Sequence, residues 1–132
     1  MEMRVVVAGI LERDGHLLIC QRGRGEYFEY KWEFPGGKVK EDESPAEALA
    51  RELNEELGIE ATIGAELHRL RYQYPGRDEF ELIFFRVDSF RGEPTNQVFE
   101  EIRWVKPEEL CGYDFLAADT ELIADLARSA RL

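Results

Sequence analysis

The stretch from Ser44 to Gly58 constrains this chain more than any other, because both its ends and one of its faces are written in residue types that suit a helix. Ser44 is a capping residue, and Pro45 has the fixed φ that a first helical turn accepts. Glu47 stands where its carboxylate can reach back and complete a capping box. Leu49, Leu53 and Leu57 recur every fourth residue and make an apolar stripe. Gly58 supplies the stop, since glycine enters the left-handed region without a steric cost. The spacing predicts a helix over 44–57 that buries one side.

The flanking segments read as strands. Val5–Leu11 is β-branched and apolar and predicts a buried strand. Arg13-Asp14-Gly15 has hairpin-turn chemistry and His16–Cys20 is a second apolar run, so residues 5–20 are expected to form a hairpin. Arg22–Lys31 reads as a loop, and Trp32–Phe34 as a short extended piece ending at Pro35-Gly36-Gly37. Beyond the helix, Ile59–Ile63 predicts a strand. Leu67–Tyr74 and Phe80–Val87 predict a longer antiparallel pair around the turn Pro75-Gly76-Arg77-Asp78. Ile102–Val105 reads as a strand and Pro107–Leu110 as a helical turn. Thr120–Arg131 reads as an amphipathic helix with Leu122, Ile123, Leu126 and the following Leu132 apolar. With no repeat or linker, residues 1–132 are expected to form a single α/β domain, a mixed sheet sandwiched between helices.

The chemistry gathers on the Ser44 helix. Glu52, Glu55 and Glu56 stand at i, i+3 and i+4, so three carboxylates crowd one face. Each like-charge pair opposes folding by a few tenths of a kcal/mol. Arg51, four residues before Glu55, offsets this in part, and a divalent cation would offset it better. Hard cations such as Mg2+ prefer carboxylate oxygens and leave positions for phosphates. An acidic helix face is by itself more often merely solvated. Here, however, it follows Gly36-Gly37-Lys38, whose N–H groups and ammonium suit phosphate oxygens. Glu43 also lies eight residues ahead of Arg51, where a folded-back loop would pair the two.

Composition narrows the partners. A formal net charge of −11 opposes binding to nucleic-acid polymers and anionic membrane surfaces, but not to a small phosphorylated molecule held through cations. The two cysteines, Cys20 and Cys111, have neither zinc nor disulfide-framework spacing and suit a reducing compartment. No apolar run is long enough to span a bilayer and no secretory signal is evident, so a cytoplasmic protein is expected.

From Gly37 to Ile59 the pattern runs Gly, five residues, Glu, seven residues, Arg-Glu-apolar-x-Glu-Glu-x-Gly-apolar. Gly37, Glu43, Arg51, Glu52, Leu53, Glu55, Glu56, Gly58 and Ile59 meet it at every fixed position. This resembles the signature of the Nudix hydrolase family, and the likeness extends over essentially the whole chain. Trp32-Glu33-Phe34-Pro35-Gly36-Gly37-Lys38, Gln21-Arg22 and Tyr74-Pro75-Gly76-Arg77 look like its MutT branch, which sanitises the nucleotide pool.

The resemblance implies a Nudix fold and a nucleotide-hydrolysing enzyme, monomeric or homodimeric. It converts a nucleoside triphosphate, 8-oxo-dGTP foremost, to the monophosphate and pyrophosphate. A cytidine-preferring or broad-range relative acting on CTP, dCTP or modified forms is the second reading, hydrolysis of a nucleotide sugar such as ADP-ribose a third, and a non-catalytic nucleotide-binding module the reading from another class. Mg2+, with Mn2+ as a substitute, would be held by Glu52, Glu55, Glu56 and the Gly37 carbonyl. Glu43 and Arg51 would brace the loop, Lys38 would meet the triphosphate and Arg22 a phosphate. The branch places its general base six residues before the tryptophan matching Trp104. Here that position is Val98, which leaves Glu100, Glu101, Glu52 or Glu55 to take the proton. Asp119 stands where the branch keeps a base-reading asparagine. Phe34 and Tyr74 are candidates to stack on the base, and Glu33 and Arg77 are further candidates to read it.

Overall fold

In the computed structural model, which describes residues 3–129, the first apolar run becomes strand β1 (Arg4–Ile10), and its partners lie far along the chain. The contacts divide the chain into two compact units, Met1–Leu11 with Pro35–Gln97, and Glu12–Phe34 with Val98–Leu132.

In the first unit, β1 pairs antiparallel with β5 (Gly36–Lys38) and parallel with β7 (Phe80–Arg91), Arg4 opposite Phe80 and Ile10 opposite Arg86. Strand β6 (Glu60–Tyr72) pairs antiparallel with β7, completing a mixed sheet of order β5-β1-β7-β6. The middles of the two central strands, Val7 and Ala8 of β1 and Leu82, Ile83 and Phe84 of β7, are buried. Helix α1 (Pro45–Leu57) packs on β1, β5 and β6 and buries Ala48, Leu49, Leu53 and Leu57. A Cβ at Gly9 would lie 3.2 Å from a Val87 methyl and 3.4 Å from the Leu49 methyls, so the strand is closely packed there.

The second unit is built on β3 (His16–Gln21), which pairs antiparallel with β2 (Glu12–Arg13), β4 (Trp32–Glu33) and β8 (Glu101–Val105). Short 3-10 helices at Pro107–Gly112 and Ala117–Asp119 lead to α2 (Thr120–Ser129), which buries Leu122, Ile123 and Ala127.

The structure corrects three local expectations. Residues 5–20 are not one hairpin. The turn at Asp14 and Gly15, both with positive φ, joins β3 only to the two residues of β2, while β1 belongs to the other sheet. The separate strands expected at 59–63 and 67–74 are one strand, β6, continued through register shifts between Thr62 and His68. Gly64 sits in that irregular stretch, where a Cβ would meet the Asp88 carboxylate at 2.1 Å unless that side chain turned away. Strand β7 runs past Val87 to Arg91. The C-terminal helix is seen to Ser129; Arg131 and Leu132 lie outside the described residues.

Candidate active site

Helix α1 begins as its sequence dictates. Glu47 N–H donates to Ser44 Oγ at 3.1 Å, and Ser44 N–H donates to the Glu47 carboxylate at 2.8 Å. Gly58 ends the helix at φ 69° and gives its N–H to the Asn54 carbonyl. The carboxylates between these ends share one guanidinium. Arg51 donates to both oxygens of Glu43, at 2.6 and 3.1 Å, to Glu52 Oε1 at 2.7 Å and to the Lys38 carbonyl at 3.0 Å. It also pairs with Glu55 at 3.3 Å. Hydrogen bonds from Arg51, with a further one from the Lys40 N–H, lower the Glu43 pKa to about 2, while the acids around Arg51 raise its own pKa.

Two glycines, expected in a loop, lie in β5 and bring that strand against this helix. Gly36 N–H donates to Glu56 Oε1 at 3.1 Å. At Gly37 a Cβ would stand 2.3 Å from Glu52 Oε2, so the backbone passes directly over that carboxylate. In kind, the donors suit a hard divalent cation: three carboxylates on one helix face beside a glycine backbone that approaches one of them closely. Among the described residues, no three His, Cys, Asp or Glu side chains are already gathered as a metal cage. Glu52 and Glu55 converge on Arg51 instead, so arginine is the cation these two acids share. Lys38 is exposed at the end of β5.

A second cluster lies in the other unit. Arg22, expected at a phosphate, donates from Nη1 to both oxygens of Glu33 at 3.2 Å and from Nε to the Tyr27 carbonyl at 2.7 Å. Burial raises the Glu33 pKa to about 7, against the opposing pull of Arg22. Asp119 is 4 % exposed and the only charged residue in the buried core of the described residues. Burial, reinforced by Glu33, raises its pKa well above the usual range, against the Phe34 N–H that its carboxyl accepts. Phe34, a candidate to stack on the base, is itself buried and packs against Phe115, ring centroids 5.5 Å apart.

The remaining candidates are spread out. Tyr74 stacks on Phe80 and lies beside Tyr72 near the β6–β7 turn, and the Arg77 carbonyl accepts from Gln73 in that turn. Glu101 opens β8 and is ion-paired with Arg103, while Glu100 is exposed and gives its N–H to the Gln21 carbonyl. Two features escaped the sequence reading. One is the electrostatic contact of Glu33 with Asp119. The other is the bonding of Thr95 and Gln97 to the end of α1. Neither has a local sequence signal, because each joins residues distant in the chain.

The family model described as NUDIX domain matches residues 1–126. A protein from Escherichia coli (strain K12) named CTP pyrophosphohydrolase is 42 % identical over 93 % of this chain and 90 % of its own length. A protein from Haemophilus influenzae named 8-oxo-dGTP diphosphatase is 39 % identical over 89 % of this chain and 87 % of its own. The solution structure of the E. coli ORF135 protein superposes with a TM-score of 0.86 at 40 % identity, covering 99 % of this chain and 92 % of that one. No helix among the described residues is long and apolar enough to cross a membrane.

Proposed function

Because this chain belongs to the Nudix family of hydrolases, whose members act on small nucleotides, we propose that it cleaves a nucleoside triphosphate to the monophosphate and pyrophosphate. 8-oxo-dGTP is the leading substrate and CTP or dCTP the second. The observation that carries this reading is the Arg51 hub, on which Glu43, Glu52 and Glu55 converge beside the glycines of β5. A binding module without catalysis would have no need to keep the full carboxylate set. We read residues 1–132 as one Nudix domain acting in the cytoplasm, monomeric or dimeric, with a place in nucleotide-pool sanitation.

Mg2+ or Mn2+ would be held by Glu52, Glu55, Glu56 and the Gly37 carbonyl. When bound, the metal supplies charge neutralisation at the phosphates and acidifies the attacking water. Lys38 adds a further positive charge for the triphosphate. Glu43 and Arg51 fix the loop that follows Gly37 and Lys38. The proton from water goes to Glu100 or Glu101, or failing those to Glu52 or Glu55.

Asp119 and Glu33 read the base. Burial favours the protonated form of Asp119, and a protonated carboxyl offers one O–H donor and one acceptor, where an ionised one only accepts. Such a group pairs with a base edge that presents a donor beside an acceptor, an arrangement found on 8-oxoguanine and on cytosine. The CTP reading draws support from the 42 % identical relative. The experiment is kcat/KM for 8-oxo-dGTP, dGTP, dCTP, CTP and dATP at low micromolar concentration, for the wild type and Asp119→Asn. The expected result is pyrophosphate release and a changed ranking in the variant, because sites with unpaired polar groups discriminate strongly. An unchanged ranking moves base reading away from Asp119, first to Glu33 and Arg77. Absence of pyrophosphate release with all five overturns the function.

A further inference from the structure

The last turn of a helix leaves carbonyls without intrahelical donors, and such ends fray unless donors arrive from elsewhere. In α1 they arrive from a segment distant in sequence. Gly58 N–H takes the Asn54 carbonyl at 2.9 Å. Gln97 N–H then takes the Glu56 carbonyl at 3.1 Å, and Thr95 N–H takes that of Leu57 at 2.9 Å. Thr95 Oγ1 donates to the same Leu57 oxygen at 3.3 Å, and Gln97 Nε2 donates to Thr95 Oγ1 at 2.7 Å. Pro94, just before these residues, is buried and anchors the segment, while Thr95 and Gln97 themselves are exposed. Gly58 lets Thr95 approach, since a Cβ there would lie 3.3 Å from Thr95 Oγ1.

Glu56 is therefore pinned at both ends, its backbone carbonyl by Gln97 N–H and its carboxylate by Gly36 N–H. Glu55 and Glu56 stand in the turn that would fray first. A helix end that opens would move these carboxylates by more than the tolerance of a metal or phosphate site. We propose that residues 94–97 are a positioning strap that holds the last turn of α1 in register, so that Thr95 and Gln97 set cation affinity without touching cation or substrate. The affinity clause rests on the reading that Glu52, Glu55 and Glu56 hold the cation.

The test compares the full-length wild type with Thr95→Pro, which deletes the N–H bonded to Leu57, and with Thr95→Val/Gln97→Ala, which keeps both backbone donors. Two measurements are made without nucleotide: amide hydrogen exchange across α1 and β7, and Mn2+ affinity by titration. For Thr95→Pro, protection of the amides at 55–58 should fall about tenfold, equivalent to roughly 1.4 kcal/mol. Those at 82–84 should be unchanged, and Mn2+ binding should weaken about tenfold. The double variant, expected to fold if the proline does not, should weaken Mn2+ binding about threefold. With Mg2+ and nucleotide, the metal concentration for half-maximal rate should rise more than kcat falls at saturating metal. Lost protection with unchanged Mn2+ affinity would reduce the strap to an ordinary helix cap and overturn the proposal, as would unchanged protection in Thr95→Pro. A wild type that binds no Mn2+, yet shows strap-dependent protection, overturns the metal reading while the ordering of the helix end stands.

Discussion

A Cβ added at Gly36 would lie 1.9 Å from the Val7 carbonyl oxygen, and one added at Gly37 would lie 2.3 Å from Glu52 Oε2. The first obstacle is backbone in a paired strand; the second is the tip of a side chain. Gly36→Ala must therefore open the β1–β5 ladder, and should cost about 2 kcal/mol or more. Gly37→Ala is relieved by displacing the Glu52 carboxylate from Arg51. It should cost less than about 1 kcal/mol of stability but lower kcat at least about tenfold. Urea denaturation and steady-state kinetics on the two variants check this, and equal losses of stability would contradict it.

At the scale of elements, α1 is where sequence and structure meet most closely. Its capping box predicts that Ser44→Ala costs about 1 kcal/mol, because a hydroxyl acceptor for an end N–H is lost. Chemical denaturation reads that directly, and a change below a few tenths of a kcal/mol would mean the box adds nothing. The cap, the leucine stripe and the crowding of Glu52, Glu55 and Glu56 were all legible because helical neighbours are sequence neighbours. The sheets were less so. Nothing in Val5–Leu11 says that it pairs with Phe80–Arg86 and not with the nearer His16–Cys20, since apolar strands are interchangeable until tertiary contacts choose among them. The same limit hid the partnership of Glu33 with Asp119. Asp119 reads locally as a helix-capping type, and only its burial shows that its carboxyl faces the Phe34 N–H.

For the whole molecule, pH acts on Glu43 and Glu33 in opposite senses. Glu43 has a folded pKa near 2, below its ordinary 4.5, so its contribution is present above 4.5 and lost as pH falls through 2. Glu33 has a folded pKa near 7, above its ordinary 4.5, so the protonated form is favoured by folding. Its contribution is whole below 4.5 and is lost as pH rises to about 7. Glu33→Gln, which does not titrate, should therefore flatten the fall in thermal midpoint between pH 4.5 and 7 relative to the wild type. Parallel slopes for the two proteins in that window would show that Glu33 is not shifted upward.

The parallel pairing of β1 with β7 has a consequence for how the protein is made. On the ribosome, Arg4–Ile10 emerges before the strand that flanks it along its whole length, Phe80–Arg86. Until then the nascent chain carries an apolar strand with an open edge, the kind of surface that chaperones cover and that aggregates at high expression. Closure of this sheet waits on a long-range contact, and such contacts slow folding more than local ones.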